Sequence, residues 1–354
     1  MDFKNAFDYD LPDERIANEP LAKRDTSNLL IINRKTGEII HKHFFDLAQL
    51  LGPNDVLVLN QSKVFPARLY GKKSTGGQVE ILLISQQTQN IWKAISKPGL
   101  PVGGQLIFSE EISGKVIDKN AQGEMVIAFT HPFQTFFEAL DHIGSTPIPG
   151  YIHTKLSETQ LRKKYQTVYA KEEGSAAAPT AGLHFTTELL EKLKQKGVQI
   201  EYITLHVGLG TFQGLREEHF KTNSLHQEYY EVTEDVAKRL TQAKKEKKRI
   251  IAVGTTTTRT LETVATEDGV IPPSQGSTTL FMYPPFQFSF VESMITNFHL
   301  PKSSLLMLIS AFGAFPNTGN VFSGFADSFL GKAYKQAIER NYRFFSFGDS
   351  MWIV

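Results

Sequence analysis

Four segments rich in glycine, threonine and histidine lie within residues 180–301 and carry the side chains best suited to chemistry. They are residues 180–186 (TAGLHFT), 206–212 (HVGLGTF), 254–259 (GTTTTR) and 296–301 (TNFHLP). Glycine lets the backbone approach a ligand closely, hydroxyl groups donate and accept hydrogen bonds, and imidazole exchanges protons near neutral pH. We therefore predict that this half of the chain is built around a binding pocket.

The segment that begins at Gly254 follows an apolar run that predicts a buried strand. Thr255 and Thr256 would then begin a helix whose first N–H groups are unpaired, and such a helix end binds a carboxylate or a phosphate. Arg259 would add a charged fork to this anion site. The alternative is an ordinary threonine-capped helix with a solvated Arg259.

The segment around His184 follows a run of small residues and leads into a predicted helix. Thr180 and Gly182 would let a planar ligand lie flat against the backbone. His184 stands beside the helix cap, where it could act as an acid or a base or donate a hydrogen bond. The alternative is a structural histidine at a helix start.

The segment that begins at His206 ends a predicted strand and turns sharply. His206 is a second acid or base candidate, and Gly208, Gly210 and Thr211 would line the turn. The pattern contains Gly-x-Gly, but Gln213 stands where a dinucleotide-binding fingerprint has its third glycine. A Rossmann cofactor site is therefore weakly supported.

Asn297 and His299 lie in a polar loop before a strongly apolar run. His299 is a third acid or base candidate, and Asn297 a candidate for binding a ligand. His184, His206 and His299 could also form a three-histidine metal set, but their neighbours lack the spacing of paired ligands. We therefore expect no metal.

Further polar candidates lie near the two ends of the chain and next to residue 61. They are Asp8, Asp10, Arg24, Asp25, Asn60, Arg68 and Asp349. The first four are set among turn formers, and the next two adjoin a β-rich region where a cleft could form. The segment 342–349 has an alternative interpretation, a final core strand with Asp349 capping a turn.

The predicted elements around these residues fall into two patterns. Residues 62–130 contain short β-rich runs separated by glycine-rich turns, which is typical of a compact antiparallel barrel. After residue 150, helices and strands alternate, which indicates an α/β layer with a partly parallel sheet. We predict an α/β fold: a discontinuous α/β domain, residues 1–60 plus 150–354, interrupted by an antiparallel β-barrel at 61–149.

Composition narrows the class of protein. The chain has 354 residues, a net charge of +1 and no cysteine, so disulfides, thiolate nucleophiles and cysteine-held iron–sulfur clusters are excluded. No apolar stretch is long enough to span a membrane, and we expect a cytoplasmic monomer. Residues 238–249 hold seven basic side chains and one acidic one. This pattern predicts a solvated helix face, with an RNA contact as the alternative.

Taken together, these motifs resemble the S-adenosylmethionine:tRNA ribosyltransferase-isomerase family of queuosine biosynthesis. The resemblance runs through most of the chain, and its specificity lies in the ordered set of segments. The matching segments are residues 7–12, 20–25, 56–60, 66–68, 76–77, 177–186, 206–212, 254–262, 296–301 and 342–349. The resemblance implies an α/β domain with an inserted β-barrel.

The resemblance also implies a reaction and two substrates. The ribosyl part of S-adenosylmethionine would be transferred to 7-aminomethyl-7-deazaguanine (preQ1) at the wobble position of tRNA and rearranged to epoxyqueuosine. Adenine and methionine would leave, so S-adenosylmethionine is consumed whole and no cofactor is implied. The chemistry needs a proton removed next to the sulfonium and a proton delivered to the departing adenine, for which histidine is suited.

The resemblance further suggests roles for the candidate residues. His184 and His206 are the leading acid or base candidates, with His299 third, and the glycines give room for the ligand. The loop at 254–259 would hold the methionyl carboxylate or an RNA phosphate, and Asp8, Asp10 and Asp349 would bind ribose hydroxyls or the exocyclic amine. Basic residues of the barrel and of 238–249 would contact the anticodon arm.

Several positions depart from the family pattern. Residues 61–63 read Gln-Ser-Lys where the family usually has Asp-Thr-Arg, and Asn28 and Gln213 each replace a usual arginine. Residues 313–332 are longer than the usual connection. Loss of an arginine weakens substrate binding where its guanidinium forms two parallel hydrogen bonds to the substrate. A divergent paralogue acting on a related nucleoside, an RNA-binding module and a methyltransferase-like enzyme therefore remain as alternatives.

Overall fold

The structure is a computed structural model that describes residues 3–121, 123–208 and 214–354. The predicted site residues Gly210 and Thr211, together with Gln213, lie outside the described residues. Within the described part of the chain, no helix is long and apolar enough to cross a membrane.

A mixed sheet of nine strands forms the centre of the main layer, in the order β16-β14-β13-β3-β15-β17-β18-β1-β2. Its strands are β1 (Asn28–Ile32), β2 (Ile39–His43), β3 (Asp55–Asn60), β13 (Gln199–Leu205), β14 (Ser224–Val232), β15 (Arg249–Val253), β16 (Ser274–Leu280), β17 (Ser293–Asn297) and β18 (Ser350–Ile353). The pairs β3–β13, β3–β15, β15–β17 and β1–β18 are parallel. The carboxyl ends of β13, β3, β15 and β17 therefore lie along one edge, where binding sites of such sheets form.

Helices cover this sheet and connect its strands. They are α1 (Phe3–Ala6), α2 (Leu47–Leu50), α3 (Phe136–Ile143), α4 (Glu158–Lys164), α5 (Thr187–Gln195), α6 (Glu217–Thr222), α7 (Glu234–Lys245), α8 (Thr255–Val264), α9 (Ser304–Phe312) and α10 (Phe329–Glu339). Short 3-10 helices occupy Asp13–Arg15, Arg24–Thr26, Phe44–Asp46 and Thr180–His184. Among the α-helices, α3 packs against the second sheet described below.

Local sequence explains why these elements form. All six residues of β3 are buried, as expected for an apolar parallel strand covered on both faces. In α5, Thr186 accepts a hydrogen bond from Leu189 N–H, and Gly197 follows the helix with a φ of 82°. A threonine cap and a left-handed glycine are ordinary helix signals. The predicted strands and the predicted α5 helix are thus found close to their expected positions.

A second sheet of seven antiparallel strands lies between residues 68 and 145. Its strands are β5 (Arg68–Lys73), β6 (Gln78–Thr88), β7 (Ile91–Lys97), β8 (Gln105–Ile107), β9 (Ser113–Lys119), β10 (Met125–Thr130) and β11 (Gly144–Ser145). An additional pairing of β5 with β8 closes the sheet, and its interior has its own core around Trp92. The predicted α/β fold with an inserted β-barrel is confirmed; the division at residues 61 and 149 remains a prediction.

One short pair of strands forms a third sheet. The strands β4 (Ser62–Val64) and β12 (Glu172–Ser175) pair with each other in parallel, beside the start of the barrel.

Residues 342–349 form no strand, because the final strand begins only at Ser350. The alternative of a core strand over 342–349 is therefore wrong, although Asp349 does bond to nearby backbone.

Candidate active site

A cleft of about 290 Å³ opens at the carboxyl edge of the main sheet. It lies between the 3-10 helix Thr180–His184, the start of α8, the end of β17 and the loop before α9. The predicted site residues that line it are Thr180, Gly254, Thr255, Thr256, Arg259, Asn297 and His299. Val207 also lines the cleft, so all four segments contribute to it, as their placement after strands predicts.

The start of α8 presents main-chain N–H groups to the cleft. Gly254 stands before the helix with a φ of 89°, which glycine adopts without strain, and no described side chain caps the helix there. The hydroxyls of Thr257 and Thr258 donate back to carbonyls of the preceding turn. The uncapped helix start is therefore available for an anion.

A buried ion pair lies next to this helix start. Arg259 Nη1 donates to Glu228 Oε2, and Glu228 Oε1 accepts the N–H of Gly208 at 3.2 Å. Arg259 Nε and Nη2 have no hydrogen-bond partner within the described residues. Half of the guanidinium fork is thus used inside the protein, and the pair as a whole carries no net charge. An anion in the cleft would rely on the remaining N–H groups of Arg259 together with the helix start.

Asn297 joins three parts of the cleft wall. Its Oδ1 accepts the hydroxyl of Thr180 at 2.9 Å, and its Nδ2 donates to the carbonyl of Phe345 at 3.3 Å. The same amide lies 3.2 Å from His184 Nε2, and His184 Nδ1 lies 2.8 Å from Ser27 Oγ. Nε2 therefore accepts and Nδ1 carries the proton.

His184 stands behind the cleft, not in its lining. Its ring is buried against Phe44, with centroids 5.0 Å apart. Burial, together with the smaller effects of the Arg343 and Arg24 charges, lowers the pKa of His184 to about 3. The imidazole is neutral at pH 7 and uses both nitrogens, so the structure gives it the geometry of a residue that positions Asn297.

The other two candidate histidines differ in access. His299 lines the cleft, and its Nε2 lies 2.9 Å from Thr296 Oγ1. Burial lowers the pKa of His299 to about 3. His206 does not line the cleft; it stacks on Tyr229, and burial lowers its pKa to about 4 against the opposing charge of Glu172. Of the three, only His299 reaches the cleft.

Two aromatic residues, Phe345 and Tyr151, form an aromatic wall of the cleft. Phe345 has a φ of 69°, a left-handed conformation that costs a bulky residue about 1–3 kcal/mol. It is held by its N–H bond to the carbonyl of Phe298, and Tyr151 packs on it with ring centroids 5.0 Å apart. Tyr151 in turn bonds through its hydroxyl to Ser346 Oγ at 2.7 Å. The two rings are inclined by 60°, so a planar ring could stack on one of them and meet the edge of the other.

Gly182 contributes close packing, not a ligand contact. A Cβ at this position would lie 1.9 Å from the hydroxyl oxygen of Tyr169, which is buried. We expect Gly182→Ala to lower the free energy of unfolding by about 1–3 kcal/mol, because a well-packed interior must shift. Urea denaturation of this variant measures it, with Gly52→Ala as the matched control, since a Cβ at Gly52 meets nothing within 4 Å. Equal losses in both variants would contradict this explanation.

The side chains of three predicted binding residues form hydrogen bonds to backbone groups outside the cleft. Asn60 is fully buried, and its amide bonds Leu205 O and Thr256 Oγ1, so it supports the cleft from behind. Arg24 donates to carbonyls at the end of α4. Asp349 accepts N–H groups of Asn28 and Arg343. None of the three lines the cleft.

The remaining predicted residues also lie outside the cleft lining. Arg68 pairs with Glu80 and donates to Ile148 O, and Asp25 accepts the hydroxyl of Thr186. Asp10 is exposed, whereas Asp8 binds Lys302 Nζ at 2.9 Å. Lys302 itself lines the cleft, so Asp8 stands next to its mouth.

The basic segment at 238–249 is largely neutralised within the protein. Lys238, Arg239, Lys244, Lys248 and Arg249 each pair with a carboxylate. These pairs agree with a solvated helix face and leave little free positive charge for RNA.

The prediction missed several cleft residues. They are Tyr151, Tyr165, His219, His226, Glu228, Lys302 and Phe345. One signal was present: His226 and Glu228 alternate on a strand, so both side chains could face the same side. Within the described residues, no three histidine or acidic side chains are grouped to hold a metal ion.

Comparison with known proteins shows the family to which the chain belongs. The family model described as "Queuosine biosynthesis protein" matches residues 4–353. The S-adenosylmethionine:tRNA ribosyltransferase-isomerase of Caldanaerobacter subterraneus is 48% identical over 99% of both chains. The chain belongs to the S-adenosylmethionine:tRNA ribosyltransferase-isomerase family of queuosine biosynthesis. It is therefore a transferase, as the sequence motifs predicted.

Two further relatives agree with this assignment. The ribosyltransferase-isomerase of Desulforamulus reducens is 49% identical over 98% of both chains. A crystal structure of the S-adenosylmethionine tRNA ribosyltransferase of Thermotoga maritima is 36% identical, with a TM-score of 0.54 over 99% of this chain and 100% of that one. This family member thus resembles its relatives along its whole described length.

Proposed function

We propose that this transferase moves the ribosyl part of S-adenosylmethionine onto preQ1 at the wobble position of tRNA and isomerises it to epoxyqueuosine. Adenine and methionine would be released, and S-adenosylmethionine would be consumed as a substrate, with no resident cofactor. The observation that carries the proposal is the cleft, where an uncapped helix start, the amide of Asn297 and an aromatic wall surround one space. A tRNA substrate also favours a cytoplasmic location.

The parts of S-adenosylmethionine have chemically suitable partners in the cleft. The methionyl carboxylate would bind the N–H groups at the start of α8 and the free N–H groups of Arg259. The adenine ring would lie against Phe345 and Tyr151, because planar rings stack favourably on aromatic side chains. A ribose hydroxyl would bond to Asn297. The tRNA would approach from the open side, near Lys302, whose ammonium can contact a phosphate.

The decisive experiment is incubation of the protein with S-adenosylmethionine and preQ1-containing tRNA, followed by mass spectrometry of the nucleosides and small products. Epoxyqueuosine, adenine and methionine are expected. Formation of S-adenosylhomocysteine would instead show methyl transfer. Binding of the tRNA without loss of S-adenosylmethionine would show an RNA-binding module.

Replacement of Asn297 tests the geometry of the cleft. We expect Asn297→Ala to lower kcat/KM about 100-fold, because the variant loses the Oδ1 acceptor for a ribose hydroxyl and leaves Thr180, His184 and the Phe345 carbonyl without their partner. Steady-state kinetics with preQ1-tRNA measures it, after circular dichroism has shown that the variant is folded. A kcat/KM within threefold of the parent value would exclude a role for this amide.

A further inference from the structure

His226 lies in an irregular part of β14. Opposite β16, Ser224 faces Leu280 and Glu228 faces Thr278, so three residues of β14 stand against one residue of β16. The two extra residues form a β-bulge centred on His226. Bulges redirect side chains and occur often beside active sites. Here the bulge accompanies the entry of the His226 ring into the cleft lining.

The ring of His226 has an unused hydrogen-bonding nitrogen. Its Nε2 is buried and has no partner within the described residues. A buried polar atom without a partner costs about 1–3 kcal/mol, so its presence calls for a reason. By contrast, His184 uses both ring nitrogens and His299 bonds Thr296. Within the described residues, His226 is thus a cleft histidine with a buried ring nitrogen open to a ligand.

His219 stands next to His226 and has a fixed tautomer. The two rings are 5.3 Å apart and nearly perpendicular, and both line the cleft. The N–H of Arg216 donates to His219 Nδ1 at 3.0 Å, so the proton of the neutral ring lies on Nε2. Burial lowers the pKa of His219, with the charges of His226 and Arg216 adding to the effect and Glu218 opposing it. His219 therefore faces His226 as a neutral ring.

The charged groups around His226 come from three elements. The start of α6 contributes His219, whose own charged neighbours are Glu218 and Arg216, β14 contributes Glu228, and α8 contributes Arg259. Glu228 and Arg259 neutralise each other as a buried ion pair. The neighbouring strand β16 has no titratable side chain. His226 therefore lies beside a neutral ring and a neutralised pair, where an imidazole can exchange a proton without a fixed counter-charge.

We propose that His226 is the catalytic residue that carries the proton in the ribosyl transfer, which rests on the proposed function. Its neutral ring takes a proton from the ribose carbon bonded to the sulfonium, and the C–H electron pair stays on that carbon as an ylide. Adenine departs with the electrons of its glycosidic bond, and a lone pair of the ring oxygen fills the vacancy on the carbon it leaves. The imidazolium gives its proton to an adenine nitrogen, and methionine later leaves with the electrons of the C–S bond. The ring is neutral again, and no other reactant is needed for the proton.

The test uses the full-length enzyme with His226→Gln and His226→Asn. We expect kcat to fall at least 100-fold, within the usual range for loss of a proton-transferring group, with KM for S-adenosylmethionine changed less than threefold. The parent enzyme should exchange the ribose hydrogens next to sulfur with D₂O during turnover, and both variants should not.

A structural role is separated by chemical rescue and by a matched control. Imidazole added to His226→Gly should raise the turnover rate of this variant at least tenfold, which a purely structural role would not allow. His142→Gln, at an exposed position of α3, should leave turnover unchanged. If the parent enzyme releases adenine and methionine while His226→Gln retains deuterium exchange and turnover within threefold, His226 is not the proton carrier. If the parent enzyme makes S-adenosylhomocysteine, the proposed function itself fails.

Discussion

Replacing Arg259 by alanine is expected to lower the free energy of unfolding by roughly 3–5 kcal/mol, because Glu228 would lose its cation while buried. The two side chains are 8% and 3% exposed, so water cannot replace the missing charge. Urea denaturation followed by circular dichroism measures the effect. Such a loss is a large fraction of the stability of an ordinary domain.

The matched control for this prediction removes both charges. The double variant Arg259→Met with Glu228→Gln should recover most of the loss, because the cost comes from one uncompensated charge and not from the absent pair. A single Arg259→Ala variant within about 1 kcal/mol of the parent would show that the pair behaves like an exposed one. Activity should be low in both variants, which separates stability from ligand binding.

Acidification is expected to destabilise the protein by about 4 kcal/mol between pH 7 and pH 5 through His184 and His299. Burial lowers both pKa values to about 3 in the folded chain, against an ordinary value of 6.5. Below pH 6.5 the unfolded chain binds protons that the folded chain refuses, so stability is complete above that pH. It is lost as the pH falls towards 3, at about 1.4 kcal/mol per pH unit for each histidine.

The measurement compares urea denaturation at pH 7 and pH 5 for the parent and for His184→Gln. Carboxylates titrate in the same way in both proteins, so the difference between them isolates the histidine. The loss in the variant should be smaller by the share of His184, about 2 kcal/mol, while His206 and His299 still contribute theirs. An unchanged pH dependence would mean that His184 is protonated in the folded protein.

The sequence predicted the elements well where burial alone decides them. The apolar run at Arg249–Val253 could only be a buried strand, and the glycine and threonines after it could only begin a helix. Local patterns of this kind need no knowledge of distant residues. The barrel strands were equally readable, because their alternation and glycine turns are also local.

The candidate site was predicted less completely, for a physical reason. Whether a polar side chain is free for a ligand depends on distant backbone groups, and Asn60 and Asp349 are taken up by such groups. The bulge at His226 depends on its register with a strand some fifty residues later, which no local pattern encodes. Sequence reasoning therefore found the right loops, but of its three histidines only His299 lines the cleft, and it missed His219 and His226.

The position of β18 has a consequence for how the chain acquires its structure. This strand lies between β17 and β1 inside the main sheet, and Leu29 is opposite Ser350. During synthesis, β1 pairs on one side with the adjacent β2, but its other side must wait for a partner made about 320 residues later. The strands of the barrel, by contrast, find one another within a short stretch. Contacts between such distant segments form slowly. We expect the barrel to be ordered first, while the edge of the main sheet at β1 stays open to chaperones until β18 emerges.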